Sequence, residues 1–209
     1  MRRLNSNLSQ IANVAPPYTL TYISQNKVEN TSTNPYTFAS QAVGTAGYTK
    51  LIISYRPFAS AGDITGITVG GNACTRFAQY SEYSAWYCNA AVGGNQNVVV
   101  TTDSTPNTLI VVIFNISSLS GGTYTPSKVT LNTTISGTSI RNKLPGSGIA
   151  STYGVNDRSM AGSYGRLTRV SSQYSTYDGT YFQVATAIRS VPGEQYTSSG
   201  AYDYWLNIG

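Results

Sequence analysis

Apolar and polar positions alternate along most of this chain with a period of two. In "YTLTYIS" the residues Tyr18, Leu20 and Tyr22 alternate with Thr19, Thr21 and Ile23, the pattern of a strand with one buried face. "YTFAS" after Pro35, "DITGITV", "CTRFAQY", "SAWYCNAAV", "NQNVVVTT", "SKVTLNTTI", "GIASTYGV" and the final "AYDYWLNIG" read as strands too. Two runs are nearly all apolar: "YTKLIISYRPF", closed by Pro57, and "TLIVVIFNI" at 108–116. Both fall short of the roughly 18 residues of a membrane helix, and their length and β-branching predict buried strands. Gly70-Gly71-Asn72-Ala73 predicts a turn. Asp178-Gly179, between "RVSSQYSTY" and "TYFQVATAIRSV", is the dipeptide of a type I′ hairpin. Strands resume after Gly121-Gly122, where the chain divides into two strand-rich halves. Roughly a dozen strands with regularly recurring turns predict an all-β fold, a two-sheet antiparallel β-sandwich of jelly-roll type, formed as one domain over residues 18–209.

Residues 1–17 break the pattern. Met1, Leu4, Leu8 and Ile11 follow a 3-4-3 spacing that would line one side of a short helix, stopped by Ala15-Pro16-Pro17. Such a segment is marginal alone, so it is either a frayed terminus or an arm, carrying Arg2, Arg3, Leu4, Leu8 and Ile11, that orders on a neighbouring subunit. Asn5, Ser6, Asn7, Ser9 and Gln10 interrupt any apolar core of a secretory signal, and none is expected.

Composition agrees with the strand pattern. Only 10% of residues are charged, and Ser, Thr, Asn, Gln, Gly and 17 Tyr make up much of the remainder, which suits pleated, half-buried surfaces and disfavours helices. The net charge of +5 is spread along the chain, with Arg2-Arg3 the only adjacent bases. No specific nucleic-acid partner and no membrane partner is expected.

The two cysteines, Cys74 and Cys88, lie symmetrically about Ser81. A hairpin turning at Tyr80-Ser81-Glu82 would oppose Cys74 to Cys88, Thr75 to Tyr87 and Arg76 to Trp86. Opposed residues come within reach of a disulfide, and Arg76 within reach of a cation–π contact with Trp86. A cross-strand disulfide and a pair of reduced, buried thiols are equally compatible with this register.

Catalytic chemistry has few candidates. The chain has no histidine, which removes the commonest general base and metal ligand. Two cysteines cannot make a zinc site without other ligands. The carboxylates Glu29, Asp63, Glu82, Asp103, Asp157, Asp178, Glu194 and Asp203 are dispersed and mostly turn-like in context. "GGNAC", "LPGSG" and "SVPG" lack the lysine and the helix of a phosphate loop. No enzymatic activity, cofactor or metal is expected. Aromatics near predicted hairpin tips, namely Tyr80, Tyr83, Trp86, Tyr174 and Tyr177, are candidates for surface recognition.

Residues 36–102 carry a more specific layout: Tyr36-Thr37-Phe38, Gly44-Thr45-Ala46, Ile67 to Gly71 with Ala73, Trp86-Tyr87, and Val98 to Thr101. This third of the chain resembles small β-sandwich proteins encoded among the structural genes of tailed bacteriophages. Two departures stand out, the cysteines where small residues such as Ala are usual and Gly93-Gly94 in place of Pro-Gly; the first suggests a disulfide added to this hairpin. The resemblance implies a non-enzymatic virion protein made in the host cytoplasm. Its expected role is head decoration or cement in several copies, a trimer being the first guess, with the major capsid protein or other virion proteins as partners. The alternative is a tail-fibre, collar or baseplate module whose aromatic tips bind host-surface glycan.

Overall fold

The computed structural model describes residues 18–56, 63–80, 82–89, 91–126, 129–135, 140–141, 146–154, 161–162, 167–176, 179–190, 195–197 and 202–208. The arm with Arg2, Arg3, Leu4, Leu8 and Ile11, the hairpin-tip residue Tyr177 and the turn residue Asp178 lie outside the described residues. Among the described residues every element is a strand.

The first nine are β1 (Tyr18–Glu29), β2 (Tyr36–Ala42), β3 (Thr49–Tyr55), β4 (Ile64–Val69), β5 (Asn72–Ala73), β6 (Thr75–Tyr80), β7 (Tyr83–Cys88), β8 (Asn95–Thr102) and β9 (Thr108–Ser118). They form a central sheet, β1-β9-β3-β7-β6, and an outer sheet, β2-β8-β4-β5, with antiparallel pairing. β5 and β6 are one strand that passes from the outer to the central sheet at Cys74. Counted as the fifth of eight runs and shared by both sheets, it gives sheet orders 1-8-3-6-5 and 2-7-4-5, the order of the two Greek keys of a jelly roll. The jelly roll is therefore complete by Ser118. Its β4–β5 corner is a two-residue hairpin, Val69 pairing with Asn72. Gly70 and Gly71 have φ of 55° and 80°, and a type I′ turn requires positive φ at both positions.

The second half adds a layer that the sequence pattern did not foretell. β10 (Val129–Ile135), β12 (Gly146–Gly154), β14 (Leu167–Ser175), β15 (Thr180–Ser190) and β17 (Tyr202–Ile208) make a C-terminal sheet, β10-β17-β12-β15-β14. The short strands β11 (Ile140–Arg141), β13 (Ala161–Gly162) and β16 (Gln195–Thr197) make a small separate sheet. The C-terminal sheet packs on the face of the central sheet turned away from the outer sheet. Leu51, Ile53, Tyr55, Tyr83, Ala85, Ile110, Val112, Phe114 and Ile116 of the central sheet share one core with Ile149, Phe182, Val184, Leu206 and Ile208. On the opposite face Ile52, Trp86, Leu109, Val111 and Ile113 pack against Phe38, Ile64, Ile67, Val69, Val98 and Val100. The central sheet is thus buried on both sides. That is why "TLIVVIFNI" and "TKLIISY" are almost uninterrupted apolar runs, whereas β8, with one face in water, alternates.

Specific contacts join the C-terminal sheet to the jelly roll. Tyr55 and Phe182 stack with ring centroids 4.5 Å apart and planes 7° from parallel. The Tyr18 hydroxyl donates to the Ile208 carbonyl. At the edge, the Glu29 carboxylate accepts from the Thr176 N–H at 2.5 Å and the Thr176 hydroxyl at 2.9 Å. Lys27 Nζ lies 3.0 Å from the same carboxylate and donates to the Tyr174 carbonyl. Partial burial would raise the Glu29 pKa, but the hydrogen bonds from Lys27 and Thr176 and the charge of Lys27 outweigh it and hold the group at about 2 against an ordinary 4.5. A depressed carboxylate contributes stability above its unfolded pKa and loses it as the pH falls through the folded one. The clasp should therefore hold fully above pH 4.5 and weaken between pH 4.5 and about 2. Lying near solvent, it is worth under about 1 kcal/mol. Urea unfolding of Glu29→Gln should show a smaller drop in midpoint across that window than the parent chain, and identical drops would contradict the clasp.

Candidate functional site

The cysteines, a buried lysine and two tight turns meet at one end of the jelly roll. β6 and β7 pair Thr75 with Tyr87 and Arg76 with Trp86, so the register expected from the sequence holds beside the cysteines. Past Arg76 a bulge at Phe77 shifts it by one, and Ala78, Gln79 and Tyr80 face Ala85, Ser84 and Tyr83. The extra residue is left unpaired and locally disrupts the ladder. Arg76 lies 5.5 Å from the centre of the Trp86 ring and donates to the Ile64 carbonyl at 3.2 Å. The expected cation–π contact is therefore present, and it covers the indole from outside.

Cys74 and Cys88 are unbridged in the structure. Their side chains are hydrogen-bonded to each other, and this bond, together with burial, pushes the Cys74 thiol far above its ordinary pKa. Cys88 is buried and Cys74 half-buried. On the other side of Cys88 the next strand places Lys50, which pairs with Cys88 across β3–β7 and with Asn115 across β3–β9. Asn115, Lys50 and Cys88 therefore form one rung of the central sheet, facing the outer-sheet core. Lys50 is fully buried; its ammonium donates to the Thr45 carbonyl and to Asn115 Oδ1 at 3.2 Å. Burial pulls its pKa down, and the neighbouring Cys88 acts in the opposite direction. The lysine was visible in the sequence only as a charge inside the apolar run "YTKLIIS", a signal that the reading from sequence alone passed over.

The turns around this rung explain two glycine-rich stretches. Gly44, at φ 78°, has Asn115 so close that a Cβ there would meet its Nδ2 at 2.3 Å. Gly93 lies against the same turn: Gly94 N–H donates to the Gly44 carbonyl and Val43 N–H to the Gly94 carbonyl, both at 2.9 Å. A Cβ on Gly93 would fall 2.4 Å from the Ala46 nitrogen and 2.9 Å from the Gly44 oxygen. Both are backbone atoms, so the turn must move. Gly93→Ala should cost about 1–3 kcal/mol, read as a lowered urea midpoint; an unchanged midpoint would show that the two turns slide apart freely.

Two of the aromatic candidates are corrected by their burial. Tyr83 is 0% and Trp86 4% exposed, because β7 lies between β3 and β6 with a layer on each side. Tyr83 fills the core shared with the C-terminal sheet, and Trp86 the core shared with the outer sheet, its Nε1 donating to Ser84 Oγ at 2.8 Å. Tyr80 and Tyr174 are exposed, at 44% and 42%. Tyr174 pairs across strands with Tyr181, ring centroids 4.7 Å apart, beside Gly179 at φ 69°.

One open cleft of about 410 Å³ lies on the outer sheet, lined by Ser40, Gly70, Gly71, Asn95, Gln96 and Asn97. Ser40 is held at φ 53° with its N–H donating to Asn97 Oδ1 at 3.1 Å, and Gln96 Nε2 donates to the Gly93 carbonyl at 2.9 Å. The lining is uncharged and amide-rich. Two of the dispersed carboxylates are ion-paired: Glu29 in the clasp, and Asp103 3.8 Å from the buried Arg56, whose guanidinium also donates to Ser104 at 2.9 Å. Among the described residues no three His, Cys, Asp or Glu side chains gather as a metal site, and no helix is long and apolar enough to cross a membrane.

Compared with known protein families, curated proteins and solved structures, the chain matches none.

Proposed function

We propose that the protein is a non-enzymatic structural component of a bacteriophage particle, decorating or cementing the head through contacts between subunits. The strand order 1-8-3-6-5 and 2-7-4-5 supports this reading, since viral capsid subunits are among the proteins built as jelly rolls. The residues that resemble phage structural proteins fall on its successive elements: Tyr36-Thr37-Phe38 in β2, Gly44-Thr45-Ala46 in the turn before β3, Ile67 to Ala73 in the β4–β5 hairpin, Trp86-Tyr87 in β7 and Val98 to Thr101 in β8. A shell subunit works by burying area against its neighbours, and the arm of residues 1–17 is the segment assigned to reach one. Purified full-length chain added to heads that lack it should bind them at saturable stoichiometry and raise the temperature at which they release DNA. Heads that neither bind it nor gain stability would sink the reading.

The outer-sheet cleft favours a second reading, a tail-associated module that binds host glycan. Side-chain amides at Asn95, Gln96 and Asn97 offer donors and acceptors to the hydroxyls of a neutral sugar. In that case unfolding of the isolated protein should shift upward with the host's surface polysaccharide, and Asn97→Ala should abolish the shift. A cement protein would respond to the head lattice alone.

A further inference from the structure

Cys74 stands where the fifth strand of the jelly roll changes sheets. Its own N–H still donates to the Ile67 carbonyl of the outer sheet at 2.9 Å, while the next residue, Thr75, already pairs with Tyr87 in the central sheet. Continuing that register by one residue sets Cys74 against Cys88, and both pack in the outer-sheet core. Lys50 shares the rung with Cys88 on its far side. The ammonium is wholly buried, and its hydrogen-bond partners, the Thr45 carbonyl and the Asn115 amide oxygen, are both neutral. Buried charges are ordinarily paired with an opposite charge. The anion this site can supply next to Lys50 is the Cys88 thiolate, toward which the Cys74 thiol can donate.

We propose that Cys74 and Cys88 are a peroxide-oxidisable pair, in which Lys50 provides the counter-charge for a Cys88 thiolate and Cys74 closes the disulfide. A peroxide is small enough to approach past the half-buried Cys74. The Cys88 sulfur attacks one peroxide oxygen and the O–O bond breaks, leaving Cys88 as a sulfenic acid; the released hydroxide takes up the proton that Cys88 gave up and leaves as water. The Cys74 sulfur then attacks the Cys88 sulfur, the S–O bond breaks, and the hydroxyl leaves with the Cys74 proton as a second water. Each cysteine is oxidised by one electron and the peroxide is reduced by two. The new bond ties the strand to its neighbour at the point where it crosses between sheets, and it closes the segment from 74 to 88. This site is independent of where the protein acts.

The test uses the reduced full-length chain and hydrogen peroxide. The parent chain should lose two hydrogens by intact mass, map to a Cys74–Cys88 link, and melt roughly 6–12 °C higher until dithiothreitol reverses it. Single variants then separate charge from exposure, with sulfenic acid trapped by dimedone. Cys88 in Cys74→Ser should react at least about tenfold faster than Cys74 in Cys88→Ser, although Cys88 is only 3% exposed and Cys74 is the more open. A folded parent chain that keeps both thiols under excess peroxide would overturn the pair. Equal rates in the two variants, or a faster Cys74, would overturn the role of Lys50.

Discussion

Deleting residues 129–209 should leave a chain that is topologically a finished jelly roll and yet insoluble. All eight strand runs and both sheets lie within Tyr18–Ser118, so no hydrogen-bonded pairing of the jelly roll is lost. What is lost is the cover on Leu51, Ile53, Tyr55, Tyr83, Ile110, Val112, Phe114 and Ile116, which are at most 1% exposed in the whole chain. Soluble monomers rarely carry a contiguous apolar patch above roughly 300–600 Å², and eight large side chains on one flat sheet far exceed it. Expression of the truncated chain should give pelleted protein, or soluble protein only as high oligomers by sedimentation. A soluble monomer with a cooperative unfolding transition would show that the C-terminal sheet is an appendage rather than a wall of the core.

Phe182→Ala should lower the stability of the entire chain by about 3–5 kcal/mol. Phe182 is 1% exposed and stacks on Tyr55 of the central sheet, so its removal opens a cavity between layers whose walls are sheet surfaces with little freedom to collapse. Because a single core joins the two halves, urea unfolding followed by tyrosine fluorescence and by far-ultraviolet dichroism should shift together by the same amount. Two separated transitions, with only one shifted, would contradict a shared core.

Much of this architecture was legible in the chain, and the limits have physical causes. Strand positions and the all-β class follow from period-two alternation, and the β4–β5 corner from Gly70-Gly71. The continuous apolar runs of β3 and β9 announced buried strands, but burial on two faces reads the same whether the second cover is a sheet or a helix, and nothing local says which segment supplies it. The third layer was hidden for that reason. So was the fate of Tyr83 and Trp86: their place near a hairpin tip suggested exposure, while their strand's position inside the central sheet buried them. The cysteine register was legible because both cysteines lie within a few residues of one turn. Lys50, Asn115, Gly44 and Gly93 come from segments far apart in the chain, and only the folded sheet brings them to one rung.

Whether this jelly roll serves in a phage head, as proposed, can be read from immunogold labelling with an antibody against the chain on particles from cultures that produce it. Label should spread over the head in many copies per particle. Label confined to the tail or its tip, or absent from intact particles altogether, would contradict it.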